Sequence, residues 1–226
     1  MIGIFGAGVV GSRVAESLSG DPQTAIAVYD SSQIVAQRLA RRLHETNGLI
    51  QATSRTELFR AKVVVLAGSS PHAPVAKELL ERNVSVVSTS DDIADCLNLL
   101  AFSELAVKKN STLIIGAASS PGMSGLLVRN MSKAFDSIDE VHIALHGTGG
   151  PACARQHHRA LSGQSIGWHD GEWLRRPAGS GRELCWFPEP VGAYDCYRGE
   201  LPDPLLIKRA FPELIRVTAR VSATRR

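Results

Sequence analysis

Six residues near the start, Gly6-Ala7-Gly8-Val9-Val10-Gly11, constrain this chain more than any other stretch. They follow Met1-Ile2-Gly3-Ile4-Phe5, an apolar run suited to a buried strand, and they lead into Val14, Ala15 and Leu18 at helical spacing. A strand that must become a helix within so few residues gives each glycine a task. Gly6 permits the tight turn, Gly8 lets a ligand approach the backbone, and Gly11 lets the helix close on the strand. The free N–H groups and the positive dipole end of the helix then converge on one point, which suits a phosphate. A second apolar run, Ala25-Ile26-Ala27-Val28-Tyr29, ends in Asp30, 19 residues beyond Gly11.

Strand, glycine turn, helix, strand and terminal acid together make the fingerprint of a Rossmann-type βαβ unit that binds a dinucleotide. Gly6, Ala7, Gly8, Val9, Val10 and Gly11 are the expected contacts of the pyrophosphate. Asp30 is placed to accept hydrogen bonds from the adenosine ribose hydroxyls, a role that a 2′-phosphate would oppose by repulsion. NAD(H) is therefore favoured as the cofactor. NADP(H) stays open, because Arg38, Arg41 and Arg42 follow on the next helix and Ser31 and Ser32 lie within reach of a phosphate.

Short apolar runs alternate with helical stretches through about residue 145, which predicts a doubly wound parallel sheet. Strands are expected near residues 1–5, 25–29, 62–67, 84–88, 112–116 and 139–145. Helices are expected over 9–19, 31–46, 73–82, 91–109 and 123–135. The run Val63-Val64-Val65-Leu66 reads as a central strand buried on both faces. After Gly147-Thr148-Gly149-Gly150-Pro151 the texture changes, and all three tryptophans, Trp168, Trp173 and Trp186, fall in the last third. The expected organisation is an α/β Rossmann domain over residues 1–146 and a smaller α+β substrate or dimerisation domain over 147–226. In the latter, strands are expected around 164–169, 172–174, 182–186 and 214–221, with a helix over 203–211. The tryptophans are expected in its core or at an oligomer interface.

Two further turns fall where a parallel sheet forms its ligand crevice. Gly68-Ser69-Ser70-Pro71-His72 follows the central strand, and Gly68 and Ser69 are expected beside the cofactor riboses. Ser120-Pro121-Gly122-Met123-Ser124-Gly125 opens a later helix, with Pro121, Gly122 and Met123 expected beside the nicotinamide. With the opening GAGVVG, the segment Ser120-Pro121-Gly122-Met123-Ser124-Gly125-Leu126-Leu127 resembles the saccharopine dehydrogenase-like family, whose members carry a PGM or PGL turn there. Gly192, after Phe187-Pro188-Glu189-Pro190-Val191, also resembles the substrate domain of that family. The resemblance implies a nicotinamide-dependent oxidoreductase acting at a C–N bond of an amino-acid-derived substrate. Members are generally longer, with a C-terminal segment that returns to the nucleotide domain, whereas this sequence ends in Val221-Ser222-Ala223-Thr224-Arg225-Arg226. A reduced or truncated substrate domain is expected.

Hydride transfer is performed by the cofactor, so the protein must supply orientation and a proton donor or acceptor. Imidazoles titrate near working pH, which makes His146 and His72 the catalytic candidates, with His157 and His158 behind them. His157 and His158 are adjacent on an expected helix and point about 100° apart, so they do not share one metal, and no metal site is expected. Arg155 and Arg159 lie four apart and could hold a carboxylate. Tyr194, Asp195 and Arg198 read as a polar loop.

Composition narrows the partners. Lys and Arg total 25 against 22 Asp and Glu, with no dense basic run of the kind a nucleic-acid footprint needs, so a small-molecule substrate is expected and nucleic acid is not. No apolar run approaches the roughly 20 residues of a membrane span. Four cysteines without a CxxC pair, and a first strand that begins at Met1, point to a reducing cytoplasm. A homo-oligomer is expected on general grounds. A non-catalytic dinucleotide-binding sensor or regulatory module is the alternative to the enzyme.

Overall fold

A computed structural model describes residues 1–147 and 150–223 of the chain. Thr148 and Gly149 of the expected linker, and the terminal Thr224, Arg225 and Arg226, lie outside the described residues. The chain divides into two compact units, Met1–Ser90 with Ala94–Ala117, and Asp91–Ile93 with Ala118–Arg226.

In the first unit six strands, β1 (Ile2–Phe5), β2 (Ile26–Tyr29), β3 (Ile50–Ala52), β4 (Val63–Leu66), β5 (Ser85–Ser88) and β6 (Leu113–Ile115), form one sheet in the order β3-β2-β1-β4-β5-β6. Every pairing is parallel. Helices α1 (Val9–Leu18) and α2 (Gln33–Leu43) cover one face, where Ile4, Ile26 and Val28 pack against Ala15, Ala36, Leu39 and Leu43. Helices α3 (Ala73–Glu81), α4 (Ile93–Leu100) and α5 (Ser103–Lys108) cover the other, burying Val64, Leu66 and Val86 under Leu79, Leu80, Leu99 and Ala106. Each buried valine, leucine or isoleucine among these contributes about 1.5–3 kcal/mol by leaving water. The strand order reverses between β1 and β4, so the loops after these two strands flank the crevice where such sheets take their ligands. This is the doubly wound Rossmann arrangement expected from the alternation of elements.

The second unit holds α6 (Met123–Met131), β7 (Glu140–Leu145), α7 (Pro151–Ala160), β8 (Gln164–His169), β9 (Glu172–Pro177), β10 (Glu183–Phe187), β11 (Gly192–Arg198), α8 (Asp203–Ala210) and β12 (Arg216–Ser222). Its sheet runs β10-β11-β12-β8-β9, with β7 parallel to β12 along its length and the other pairings antiparallel. Val217, Ala219 and Val221 of β12 face a core of Ile207 from α8, Phe211 just after it and Ala160 from α7. By strand alternation Arg216, Thr218 and Arg220 occupy the opposite face.

Several expectations change. The strand over 139–145 belongs to the second sheet, not to the parallel one, and the units part between Ala117 and Ala118, whereas the expected boundary followed residue 146. The physical reason lies in its alternation: Glu140 and His142 are exposed while Val141 is buried, which suits a strand covered on one face only. The helix expected over 91–109 is interrupted into α4 and α5. Tyr194, Asp195 and Arg198 lie in strand β11 and not in a loop. Trp168 packs in the second core with its indole N–H donating to the Leu214 carbonyl, but Trp186 is 78% exposed and Trp173 41%.

Candidate functional site

The turn after β1 assigns its three glycines different environments. Gly6 has φ +102, and a Cβ placed there would meet the backbone nitrogen of Gly68 at 2.6 Å. A Cβ on Gly11 would meet the Gly6 carbonyl oxygen at 1.8 Å, so only glycine lets α1 approach the strand end. Gly8 is unlike both. It caps α1 with an ordinary φ of −71, and nothing lies within 4 Å of a Cβ placed there. Close packing therefore requires Gly6 and Gly11, whereas the fold itself makes no demand for glycine at position 8. A backbone kept bare on its open side at a helix N-terminus is what an approaching phosphate requires.

Helix α1 has no side-chain cap and no acidic residue in its first turn, so no side chain of the helix itself takes its first N–H groups. Ala7 and Ser12 tighten the turn, the Ser12 hydroxyl donating to the Ala7 carbonyl at 3.1 Å. Asp30, half-buried at the end of β2, accepts the Ala7 N–H on Oδ2 at 2.8 Å and the Ser32 N–H on Oδ1 at 2.8 Å. The carboxylate thus clasps the glycine turn to the second strand while each oxygen keeps further acceptor capacity. The Ser31 hydroxyl lies 3.4 Å from Oδ1 and is exposed, as is Val9, with Val10 half-buried behind it.

Gly68 and Ser69 lie on the loop after β4, which His72 ties down. The imidazole is 3% exposed, with Nδ1 2.9 Å from the Ser88 hydroxyl and Nε2 3.1 Å from the Gly68 carbonyl. A carbonyl only accepts, so Nε2 carries the proton and Nδ1 accepts from Ser88. Asp95 takes the backbone N–H groups of His72 and Ala73, capping α3, and the Ser70 and Ser90 hydroxyls meet at 2.7 Å. With both ring nitrogens engaged and the ring buried, His72 is built as a latch for this loop; the structure gives it no opening for proton transfer. Burial is the main cause that holds its pKa below the ordinary 6.5, against the Gly68 hydrogen bond and the Asp95 charge. A depressed folded value means that stability is complete above the unfolded pKa of 6.5 and is lost as pH falls through the folded one. His72→Gln should flatten this acid-side loss in thermal melts; an unchanged difference from wild type across that range would show that the ring does not titrate on unfolding.

Pro121, Gly122, Met123 and His146 belong to the second unit. The Ser120–Met123 turn is closed by the Ala118 N–H donating to the Pro121 carbonyl at 3.0 Å and the Met123 N–H to the Ala118 carbonyl at 2.9 Å. Gly122, at φ +142, sits in the conformation that favours glycine and starts α6. Asp203, which nothing in the sequence signals, holds this turn: it is 1% exposed and accepts from Ser120 Oγ at 2.6 Å and Ser124 Oγ at 2.5 Å. His146 is half-buried, with Nδ1 3.0 Å from the Ser222 hydroxyl and its ring 4.2 Å from that of Tyr194 and 5.3 Å from that of Phe187. Its Nε2 has no hydrogen-bond partner among the described residues. His157 Nε2 instead bonds the Ser222 carbonyl, at 2.9 Å.

No protein-family model matches the chain, and a comparison with curated proteins gives no match. Solved structures do match. Saccharopine dehydrogenase (L-Glu forming) from Saccharomyces cerevisiae aligns over 97% of this chain and 54% of its own, with 19% identity and a TM-score of 0.68. UDP-N-acetylglucosamine 3-dehydrogenase from Acidithiobacillus ferrooxidans aligns over 100% and 70%, with 14% identity and a TM-score of 0.57. GenD2 from gentamicin A biosynthesis, solved in complex with NAD, aligns over 98% and 65%, with 15% identity and a TM-score of 0.51. The chain shares the fold of these proteins and spans about half the length of the yeast enzyme.

Proposed function

We propose that this chain is an NAD(P)-dependent oxidoreductase acting on an amino-acid-derived substrate at a C–N bond. The observation that carries the reading is the glycine turn: Gly8 leaves the uncapped N-terminus of α1 bare, while Gly6 and Gly11 serve packing. Gly6 through Gly11 would hold the pyrophosphate, Asp30 the adenosine ribose, Gly68 and Ser69 the neighbouring sugar, and Pro121, Gly122 and Met123 the nicotinamide side. The cofactor supplies a hydride when bound. NAD(H) fits Asp30 better than NADP(H), since a 2′-phosphate beside that carboxylate is repelled.

The chain's own residues would orient the substrate and move a proton. His146 is the better proton donor of the two histidine candidates, because its Nε2 has no partner among the described residues while both nitrogens of His72 are engaged. The PGM turn and its likeness to the saccharopine dehydrogenase-like pattern support the C–N substrate. The exposed Leu126, Leu127, Met131 and Phe135 support a homo-oligomer that covers them.

The test is oxidation of NADH by the purified chain with pairs of a 2-oxo acid and an amino acid. Turnover with at least one pair is expected, together with a loss of NADH affinity in Asp30→Ala that exceeds any loss for NADPH. Tight NADH binding without turnover on any pair would leave a dinucleotide-binding module and remove the enzyme reading. Equal losses for the two cofactors would remove Asp30 as the ribose partner.

A further inference from the structure

The face of the second sheet opposite α7 and α8 carries an arrangement that folding alone does not favour. In the antiparallel pairing of β11 and β12, Arg198 stands directly across from Arg220. Like charges so placed destabilise a sheet. Arg176 on β9 adds a third guanidinium; it and Arg198 line, with Ser165, Thr218 and the apolar Leu174, a small cavity of about 40 Å³, beside which Arg220 stands across from Arg198. Glu183 pairs with Arg220 Nη2 at 2.5 Å, but among the described residues neither Arg176 nor Arg198 forms an ion pair. Arg220 is only 14% exposed, and its buried Nε has no hydrogen-bond partner among the described residues.

The cluster is also held in place. The Arg198 N–H donates to the Ser180 carbonyl, its carbonyl accepts the Gly179 N–H, each at 2.9 Å, and its Nη1 reaches Ser180 Oγ at 3.2 Å. Gly181 has φ +62, and a Cβ there would meet the same Nη1, so the loop between β9 and β10 lies directly against the guanidinium. A long cation could swing away from its neighbours; this one is clasped among them. Burial first, and then the charges of Arg176 and Arg220, hold its pKa below the ordinary arginine value, although Glu183 opposes them.

We propose that Arg176, Arg198 and Arg220 form a binding site for a compact oxyanion, a phosphoryl or carboxylate group, on this open sheet face. The planar donors of guanidinium groups match such oxygens with paired hydrogen bonds, and an anion would offset the repulsion between these like charges. Natural chains retain locally destabilising groups of this kind at functional sites. The site stands apart from the dinucleotide reading, and its test needs no dinucleotide.

The full chain is titrated with inorganic phosphate, with succinate, and with sodium chloride at matched ionic strength, and thermal midpoint and heat of binding are read. Phosphate or succinate should raise the midpoint saturably where chloride does not, and the stronger of the two identifies the source as phosphoryl or carboxylate. Arg198→Gln should weaken that binding roughly tenfold or more, since each charged hydrogen bond is worth at least that. Its anion-free midpoint should equal or exceed that of wild type, because a repulsion is gone. Arg176→Gln, at an exposed position, should show the same loss of response and guards against a folding defect in the first variant. No response beyond chloride in wild type, or an undiminished response in both variants, would overturn the site.

Discussion

Gly8→Asp is expected to fold as stably as the wild-type chain and to lose dinucleotide binding by roughly a hundredfold or more, a difference of about 3 kcal/mol. Position 8 tolerates a side chain: its φ is ordinary and nothing lies within 4 Å of a Cβ there. Aspartate is moreover a preferred residue at a helix N-cap, where its carboxylate accepts an N–H of the first turn and faces the positive dipole end. Those are the groups that a pyrophosphate would use, so the variant satisfies the helix internally and repels the ligand. Gly11→Ala should behave in the opposite sense on stability. Its methyl would sit 1.8 Å from the Gly6 carbonyl oxygen, a backbone atom with no room to yield, and overpacking of that kind costs about 3 kcal/mol. Thermal melts and calorimetric titration with NADH separate the two. A Gly8→Asp chain that keeps wild-type NADH affinity would sink the assignment of this turn to the pyrophosphate.

The contrast between these glycines shows where sequence reading succeeds. The first βαβ unit is legible because every signal is local: an apolar run, a glycine turn, and an acid at the end of the next strand. Legibility falls where a residue acts through distant partners. His72 is a candidate base by residue type, yet Ser88 and Gly68 occupy both its ring nitrogens, and only the packing of β5 beside β4 brings Ser88 there. β3 is three residues long, with Gln51 exposed, too little pattern to register as a strand. The alternation of β7 held the clue to its place in a one-sided sheet, since Glu140 and His142 would not suit a strand covered on both faces. In β11 the polar residues that suggest a loop are paired strand positions, Tyr194 and Arg198 on one face and Asp195 on the other, and the opposition of Arg198 to Arg220 exists only once the register is fixed.

Asp203 is the residue that sequence reading had no means of finding, and its removal should have the largest effect in the second unit. It lies 83 positions from Ser120 and 79 from Ser124, and among the described residues no other group accepts from either hydroxyl. Asp203→Ala would leave two partly or fully buried hydroxyls without an acceptor and a cavity beside the PGM turn, a loss of about 2–4 kcal/mol. Asp203→Asn should cost less, because its amide oxygen still accepts from one serine, the other hydroxyl can turn to accept the amide N–H, and no charge is buried. The two variants also differ from wild type in pH dependence. Burial raises the Asp203 pKa above the ordinary 3.8, and the Ser120 and Ser124 hydrogen bonds offset this only in part. In the window above 3.8 the folded chain therefore holds the proton that the unfolded chain releases, so this group's contribution is complete below that value and is lost as pH rises through the folded pKa. Wild type should accordingly lose stability relative to Asp203→Asn as pH rises through that window. Chemical denaturation of both chains across acidic pH measures the difference, and a gap independent of pH would show that Asp203 is as readily ionised in the folded chain as in the unfolded one. Because the same carboxylate fixes Ser120 and Ser124 on either side of Pro121, Gly122 and Met123, the Ala variant should also loosen that turn, seen as faster amide exchange at Met123 and Ser124 than in the Asn variant.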